Sequence, residues 1–324
     1  MLFKEMALIP DNDQHLLQIQ AGTLGRNSGH SFEEYIANYI NNNSITLENN
    51  LDINKNIYLG NPAKLLVEYI VIKEKIEKVT SIKAICTGIL ATSEKKNLKL
   101  TIEGKEISKS KSDLVIIFYH GKKSKVIGVS TKQCNNKNPT NAQLYFTTAT
   151  GFSELLRRNK VDIPLQAENA LKQFCGDKNF RPLDNNIINR RTDSRRYYWE
   201  EINENGKEFW EQLFEEKQKR ISEILFKFAY HKDNFTPQYL IHKTKFSKKI
   251  EDSENAIYQL DNLIDKSIKF NKFYKKYYNI RDEDGKLVQH EAPRFGIIQM
   301  QRGGQKQHPT QLQFNLMSGY FYKI

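Results

Sequence analysis

The feature that most limits how this chain can fold is a pair of apolar runs within residues 111–133, KSDLVIIFYHGKKSKVIGVSTKQ. The runs LVIIFY and KVIGVS are rich in β-branched and aromatic residues, and the polar linker HGKKSK separates them. This pattern predicts two neighbouring strands joined by a turn. The first strand begins just after Asp113 and the second ends near Lys132, so charged groups mark one end of the predicted pair.

The predicted pairing brings three polar side chains together. If Tyr119 faces Val126, Asp113 lies directly opposite Lys132 on the neighbouring strand. Residues two apart in a strand share a face, so Ser130 points the same way as Lys132. A carboxylate, a hydroxyl and an ammonium group are therefore expected at one end of a sheet.

This set of groups suits phosphodiester hydrolysis. Mg²⁺ prefers oxygen ligands, and here they would be the Asp113 carboxylate, the backbone carbonyl of Thr131, water and a phosphate oxygen. The metal would stabilise charge that develops on the phosphate and lower the pKa of water, while Lys132 orients that water or holds the phosphate. The pattern predicts Asp113, Ser130 and Lys132 as catalytic residues and Mg²⁺ as the cofactor.

The pattern has the form of the Asp and polar-x-Lys core of the PD-(D/E)xK nucleases, but it is short and has a structural alternative. A cross-strand salt bridge at a sheet edge produces the same pattern and contributes about 0–1 kcal/mol. Ser130 also stands where glutamate is usual in that core, which removes one negative charge from the metal shell.

Glu33 is the candidate that would replace this charge. It lies on a helix predicted over residues 32–41, where Ser31 and Glu34 fit a capping box and apolar residues recur at helical spacing. Glu33 lies at the edge of this apolar stripe, so its carboxylate can reach the end of the sheet and act as a further metal ligand. The alternative is an ordinary first-turn acid that the helix macrodipole favours.

The remaining segments predict a mixed α/β fold with a central mixed β-sheet flanked by helices. Helical periodicity marks PAKLLVEYIVIKEKIEKV, the second half of NAQLYFTTATGFSELLRRN, and the long stretch INENGKEFWEQLFEEKQKRISEILFKFAY. NLKLTIEGKEIS predicts a hairpin with a Glu-Gly turn, and RFGIIQMQRGG with QLQFNLMSGYFYKI predicts two strands around a Gly-Gly loop. We place a boundary near VDIPLQ, which divides the chain into residues 1–160 and 161–324.

Composition indicates the class of partner and the compartment. The 324 residues include 50 Lys plus Arg and 38 Asp plus Glu, a formal charge of +12. This surplus favours a polyanionic partner because phosphate contacts release counterions, although base-composition bias is an alternative source of the basic residues.

No apolar run reaches about 18 residues, the length of a membrane span, and MLFKEMALIPDNDQ lacks the basic start of a signal peptide. The three cysteines, Cys86, Cys134 and Cys175, have no zinc-site spacing, so we expect reduced thiols in a cytoplasmic protein with no membrane partner.

Segments taken in order along the chain resemble the small type II restriction endonucleases of the MspI and HinP type, in the PD-(D/E)xK superfamily. GHSFEEYI resembles the first helix of that family with its acidic residue, here Glu33. KSDLVIIFY and VIGVSTKQ are similar to its Ser/Thr-Asp strand and its Gln-x-Lys or Asn-x-Lys strand. The resemblance implies that Asp113 binds metal, that Lys132 is the catalytic lysine, and that Ser130 takes a position where the family accepts a neutral residue. Residues 87–108 look like an insertion.

The C-terminal half carries the same resemblance in LKQFCGD, SRRYYWEEI and FGIIQMQRGGQKQHPTQLQF. It implies a restriction-endonuclease-like catalytic core in residues 1–160 and a DNA-recognition and clamping part in residues 161–324. Glutamine and asparagine can read adenine, arginine can read guanine or hold phosphate, and glycine allows close approach of the backbone to DNA. The expected DNA contacts are Asn141, Gln143, Arg195, Arg196, Gln299, Gln301, Arg302, Gly303, Gly304 and Gln305. An ordinary solvated face is the alternative for each group.

Together these observations predict a Mg²⁺-dependent endonuclease that cuts double-stranded DNA at a short palindromic site and leaves 5′-phosphate ends. The resemblance implies a four-base site such as GCGC and a cognate DNA methyltransferase as a genetic neighbour, not as a stable complex. Two other functions remain open. One is a structure-specific or repair nuclease with the same core, and the other is a non-catalytic nucleic-acid-binding protein.

Overall fold

A computed structural model describes residues 30–48, 50–91, 98–182, 193, 196–281, 285–302 and 310–324. The chain is mixed α/β, with a central mixed sheet flanked by helices, which confirms the predicted fold class at this level. The described residues form two compact units that alternate along the chain. The first unit lies within Arg26–Ala142, Phe226–Lys266 and Ser318–Ile324, and the second includes Gln143–Leu225 and Ser267–Met317.

The sheet of the first unit contains six strands of the described chain in the order β1-β9-β8-β6-β5-β2. The strands are β1 (Ile57–Leu59), β2 (Ser81–Cys86), β5 (Leu114–His120), β6 (Lys123–Gln133), β8 (Pro237–Lys243) and β9 (Glu254–Gln259). The strands β6 and β8 pair in parallel, while the other neighbours pair antiparallel. A parallel pair needs a long crossover connection, and here the connection includes residues 143–225 of the second unit. The first unit therefore draws strands from both sides of the predicted boundary at residues 160 and 161.

The predicted hairpin is present, but its expected register was wrong by two residues. Tyr119 pairs with Ser124, not with Val126, and Leu114 pairs with Val129. The reason is a tight turn of two residues that begins at Gly121, whose φ is 60°, and such turns match the twist of the strands they join. A shift by two residues leaves every side chain on its predicted face, so Asp113 lies beside Ser130 and still shares a face with Lys132.

Both faces of the hairpin are covered by apolar side chains. One face packs Leu114, Ile116 and Phe118 with residues of the helices α1 (residues 30–42) and α2 (Pro62–Lys73). The predicted helices at both places are confirmed. Full burial of such a side chain contributes about 1.5–3 kcal/mol, so these contacts anchor α1 to the sheet.

The opposite face of the hairpin is covered in part by a small two-stranded sheet, β3 (Leu100–Ile102) and β4 (Lys105–Ile107). Ile102 and Ile107 belong to one apolar cluster with Val115 and Ile117 of β5. The Glu-Gly turn predicted from sequence joins the two strands, because Ile102 pairs with Lys105. The described part of the segment 87–108 therefore completes the core beneath β5.

The second unit contains the sheet β10-β11-β12-β13-β7. Its strands are β7 (Ala142–Thr148), β10 (Phe273–Arg281), β11 (Leu287–Phe295), β12 (Ile298–Arg302) and β13 (Gln311–Leu316). The remaining helices are α3 (Ala149–Arg158), α4 (Leu165–Cys175), α5 (Glu204–Glu216), α6 (Gln218–Lys227) and α7 (Leu260–Phe270). Aromatic rings join α3 and α5 to one face of this sheet, with centroid distances of 4.6 Å for Phe152 and Phe314 and 4.9 Å for Phe214 and Phe295.

The long helical stretch predicted after residue 201 is divided in the structure. The helix α5 ends at Glu216 and α6 begins at Gln218, with Lys217 between them at φ −113° and ψ 23°. The buried side chain of Gln218 donates a hydrogen bond to the carbonyl of Asn271 at 2.9 Å. This contact with a distant segment lies at the break, and helical periodicity alone does not encode it.

No helix in the described part of the chain is long and apolar enough to cross a membrane. All three cysteines are free.

Candidate active site

Asp113 is held at the start of β5 by its own backbone. Its N–H donates to the carbonyl of Val129 at 2.9 Å, just beyond the last paired residues of the hairpin. Its carbonyl accepts from the N–H groups of Thr87 and Gly88 at 2.9 and 3.1 Å. These bonds on both sides fix the position of Asp113, whose side chain is 24% exposed.

The Asp113 carboxylate is bound by two residues of β6. Its Oδ2 atom accepts the Ser130 hydroxyl at 3.0 Å and the Thr131 N–H at 2.7 Å, and it lies 3.8 Å from Lys132 Nζ. Each of these contacts from the described chain ends on Oδ2, and Oδ1 therefore remains available as a metal ligand. Ser130, predicted as a catalytic residue, acts here by orienting the carboxylate.

Lys132 is anchored by its own neighbour in sequence. Its Nζ atom donates to the carbonyl of Thr131 at 2.8 Å, and its side chain is 17% exposed. On the adjacent strand its register partner is His242, which is fully buried. Burial, and secondarily the nearby Lys132 charge, lowers the pKa of His242 to about 3. The imidazole is therefore neutral and adds no repulsion beside the ammonium group.

Glu33 projects from α1 into the same place and is buried, with 7% of its surface exposed. Its Oε1 atom accepts the Thr131 hydroxyl at 3.2 Å, and His30 Nδ1 lies 3.4 Å from Oε2. Burial, and then repulsion from Asp113, raises the pKa of Glu33 to about 8, although Lys132 and the Thr131 hydroxyl act in the opposite direction. Without a bound cation, Glu33 is therefore mostly protonated at neutral pH.

The helix that carries Glu33 is tied to the edge of the sheet. The side-chain amide of Asn41 donates to the carbonyl of Ala84 at 2.9 Å, and the Ala84 N–H donates back to Asn41 Oδ1 at 2.8 Å. Gly88 leaves room for the carboxylate, since a Cβ added there would lie 2.4 Å from Glu33 Oε2. The fold thus fixes both the helix and the space around its acid.

Thr131 joins the three candidate catalytic groups. Its N–H binds Asp113, its hydroxyl binds Glu33, and its carbonyl accepts Lys132. Sequence reasoning assigned Thr131 only a carbonyl ligand and missed its two donor contacts. The alternation of side chains along a strand offers no sign of a backbone N–H contact, so no local pattern could have predicted it.

The donor set of this site fits Mg²⁺. Asp113 and Glu33 supply hard carboxylate oxygens, and Mg²⁺ is commonly held by one or two carboxylates with waters and substrate phosphate. The Thr131 carbonyl, a predicted ligand, already accepts Lys132 but retains a second lone pair. Within the described residues no group of three His, Cys, Asp or Glu side chains could hold a metal alone, so water and phosphate would complete the shell.

A layer of polar contacts behind the site fixes the segment that leads into Asp113. Asp233 accepts the Lys111 N–H at 2.6 Å and the Phe235 N–H at 2.9 Å, and the buried Ser112 hydroxyl donates to the Phe235 carbonyl. Burial, and then repulsion from Lys132, lowers the pKa of Lys111 to about 8. No sequence pattern predicted the contacts of Lys111 and Ser112, because they join segments more than 100 residues apart.

Gly128 offered one sequence signal for the close packing behind the site. A Cβ at this position would lie 2.4 Å from Ser112 Oγ and 2.5 Å from the Thr236 carbonyl. A glycine inside a strand often marks such an approach of backbone or side chain.

The expected DNA contacts are in several different environments. Asn141 Oδ1 accepts the Ser318 N–H at 2.7 Å, and Gln143 is exposed on β7. Gln299 and Gln301 lie on β12 and share a hydrogen bond of 3.1 Å. The other four expected contacts, Arg195, Gly303, Gly304 and Gln305, lie outside the described residues.

The two described arginines of the expected DNA-contact set converge on Asp193. Arg196 Nε lies 3.1 Å and Arg302 Nη2 lies 3.7 Å from Asp193 Oδ2, and the two arginine side chains are 8% and 11% exposed. The Arg302 guanidinium also lies 4.0 Å from the ring centroid of Tyr198 and donates to the Tyr197 carbonyl at 2.9 Å. These contacts hold the segment around Tyr197 and Tyr198 against the end of β12.

Comparison with known proteins adds no assignment. No protein-family model matches the chain, and no curated protein matches it significantly.

Proposed function

We propose that this protein is a Mg²⁺-dependent, site-specific endonuclease of the type II restriction class, acting on double-stranded DNA. The observation that carries the proposal is the convergence of Asp113, Glu33 and Lys132 on the three polar groups of Thr131. A surface salt bridge needs neither a buried second acid nor a lysine anchored on the neighbouring carbonyl. Two acids can hold a Mg²⁺ ion and one ammonium group can bind a phosphate oxygen, so this set of groups suits metal-assisted phosphodiester hydrolysis.

The chain's own residues would divide the work in hydrolysis. Bound at Asp113 and Glu33, Mg²⁺ would supply positive charge for the phosphate and acidify a water molecule. Asp113 has one carboxylate oxygen fixed by Ser130 and Thr131, so its other oxygen needs no reorganisation to bind. Glu33 would lose its proton on binding a cation, because only the carboxylate form is a metal ligand. Lys132 lies 3.8 Å from Asp113, within reach of a phosphate oxygen or of the attacking water.

The order of resembling segments and the net charge of +12 support the choice of DNA as substrate. In this proposal the unit that holds the hairpin is a restriction-endonuclease-like core, and residues after 161 supply most of the recognition surface. Cleavage leaves 5′-phosphate ends at a short palindromic site. The protein acts in the cytoplasm, where a cognate methyltransferase protects the host DNA.

The deciding experiment is digestion of phage DNA by the purified protein with Mg²⁺, followed by sequencing of the fragment ends. We expect discrete fragments with one shared end sequence, and no cleavage by Asp113→Asn. Asp252→Asn is the matched control, because Asp252 is exposed and lies in the same unit. A smear without a shared sequence would favour a structure-specific or repair nuclease. No cleavage by the unmodified protein with Mg²⁺ or Mn²⁺ would overturn the proposal.

A further inference from the structure

One face of the sheet in the second unit carries a row of linked polar side chains. On β12 and β13 the apolar residues that point to the aromatic core are fully buried, and they are Ile298, Met300, Leu312, Phe314 and Leu316. Arg302 at the end of β12 lies on the same face and is partly exposed. The alternate residues on the opposite face are polar and, apart from the buried Asn315, partly exposed. They are Gln299, Gln301, Gln311, Gln313 and Asn315.

The side chains of this face form a continuous chain of hydrogen bonds, which we name the amide row. Arg294 Nη2 donates to Gln299 Oε1 at 2.9 Å, and Gln299 Nε2 donates to Gln301 Oε1 at 3.1 Å. Gln301 Nε2 donates to Gln313 Oε1 at 3.3 Å, and Gln313 Nε2 donates to Gln311 Oε1 at 3.4 Å. Strand register supports the row, because Gln299 pairs with Arg294 and Gln301 with Gln313.

The direction of these bonds fixes what each amide can offer to a ligand. Within the described part of the chain, Gln299, Gln301 and Gln313 each accept one bond and donate one in the row, which leaves each with one further N–H and one further carbonyl lone pair there. Adenine presents the complementary pair in the major groove, with N7 as acceptor and the N6 amino group as donor. Guanine offers two acceptors there, and thymine and cytosine offer one polar group each. The row therefore matches adenine better than any other base.

We infer that the amide row is a base-reading surface that recognises adenine in the major groove of the cleaved duplex. This inference rests on the proposed function for its substrate and adds the bases that the site must contain. It replaces the GCGC site that the resemblance implies, because that site contains no adenine. The strands β12 and β13 lie inside the five-stranded sheet, so the row would meet the duplex as part of a sheet face, and strands of β-sheets are among the elements that read base edges. The amides are already ordered by one another, which reduces the entropy lost on binding. Neutral amides neutralise no phosphate charge and so release no counterions, which is why we expect them to contribute to sequence preference and not to the salt-dependent affinity.

The test begins with the full chain carrying Asp113→Asn, mixed without Mg²⁺ with duplexes that hold a random central segment. Sequencing of the bound fraction should give a consensus that includes an A·T pair. Replacing that adenine by 7-deazaadenine, which lacks the N7 acceptor, should weaken binding about 10-fold to 100-fold. Adding Gln301→Leu and Gln313→Leu should cause a similar loss and abolish the effect of the 7-deaza base, while the slope of affinity against salt stays unchanged.

Gln289→Leu is the matched control, because Gln289 is an exposed glutamine on β11 outside the amide row. It should leave both consensus and affinity unchanged. Gln313→Glu, which keeps the side-chain shape but removes the donor, should reproduce the loss if the leucine variants fold poorly. A consensus without an A·T pair, or a 7-deaza effect that persists in the leucine variants, would overturn the inference. Cleavage at discrete sites that contain no A·T pair would overturn this inference and leave the endonuclease proposal intact. Selective binding of adenine without any cleavage would overturn the endonuclease proposal alone.

Discussion

Asp113 Oδ2 lies 3.8 Å from Lys132 Nζ, and the same oxygen accepts the backbone N–H of Thr131 at 2.7 Å. The ion pair is thus part of a site in which one strand residue positions both partners. The hydrogen bond from Lys132 to the Thr131 carbonyl keeps the ammonium group near the acid without a direct hydrogen bond between them.

Removal of the lysine charge should separate catalysis from binding. Lys132→Met should lower the cleavage rate about 100-fold or more, because the ammonium group acts on charge that develops in the transition state. Binding of uncut DNA should change little, since phosphate contacts elsewhere supply most of the affinity. Single-turnover cleavage and filter binding measure the two effects. Lys123→Met, an exposed position on the same strand, is the control, and full activity in Lys132→Met would remove this lysine from the mechanism.

Glu33 should make the metal-free protein less stable as pH rises. Its folded-state pKa of about 8 exceeds the ordinary value of 4.5, so between these values the folded chain binds more protons than the unfolded chain. The free energy of unfolding should therefore fall from pH 4.5 to pH 8, by a few kcal/mol in order of magnitude. Urea unfolding with chelator present measures this slope. The Glu33→Gln variant should lose the part of this slope that Glu33 causes. Identical dependence of the unfolding free energy on pH in the variant and the unmodified protein would contradict the raised pKa of Glu33.

Gly88 should resist even a small side chain. An added Cβ would lie 2.4 Å from Glu33 Oε2, so Gly88→Ala must displace either the carboxylate or its own backbone. We expect a loss of about 1–3 kcal/mol in unfolding free energy, together with weaker Mg²⁺ binding. Glu33→Ala in the same chain should recover part of the stability because it removes the clash. Additive effects of the two changes would show that they do not interact.

Asp233 should support the site without touching substrate. Its carboxylate accepts two backbone N–H groups, from Lys111 and Phe235, and Asp233→Ala would leave them without this partner. We expect a loss of about 1–3 kcal/mol in stability and a lower cleavage rate that saturating Mg²⁺ does not restore. Asp233→Asn keeps one acceptor oxygen, so its stability should lie between those of the unmodified protein and Asp233→Ala. Unchanged stability in both variants would contradict this role.

Local sequence was sufficient for most individual elements of the first unit. The apolar stripe of α1, the Glu-Gly turn and the two β-rich runs each act over a few residues, and each of these predicted elements is present. The predicted capping box was wrong, because α1 already includes residue 30 and Ser31 therefore lies inside the helix. The face shared by Asp113, Ser130 and Lys132 was also predictable, because side chains alternate along a strand.

Longer-range features were not predictable in this way. The parallel pairing of β6 with β8 joins segments far apart in the chain, and residues 143–225 of the second unit lie between them in sequence. The break between α5 and α6 likewise involves Asn271, which is distant from Gln218. Such contacts depend on which buried surfaces meet, and no single segment contains that information.

The sequence by itself determined which residues carry charge at the end of the hairpin and on which face they lie, since both follow from the covalent order and the period of a strand. Only the tertiary structure decided the register, the approach of Glu33 and the central position of Thr131. Each of these depends on the tight turn at Gly121, the packing of α1 against the sheet and the space left by Gly88. A backbone N–H donates a hydrogen bond to a distant carboxylate only when the segments that carry them are packed together. For this physical reason the residues of the site could be predicted from the sequence, but their contacts could not.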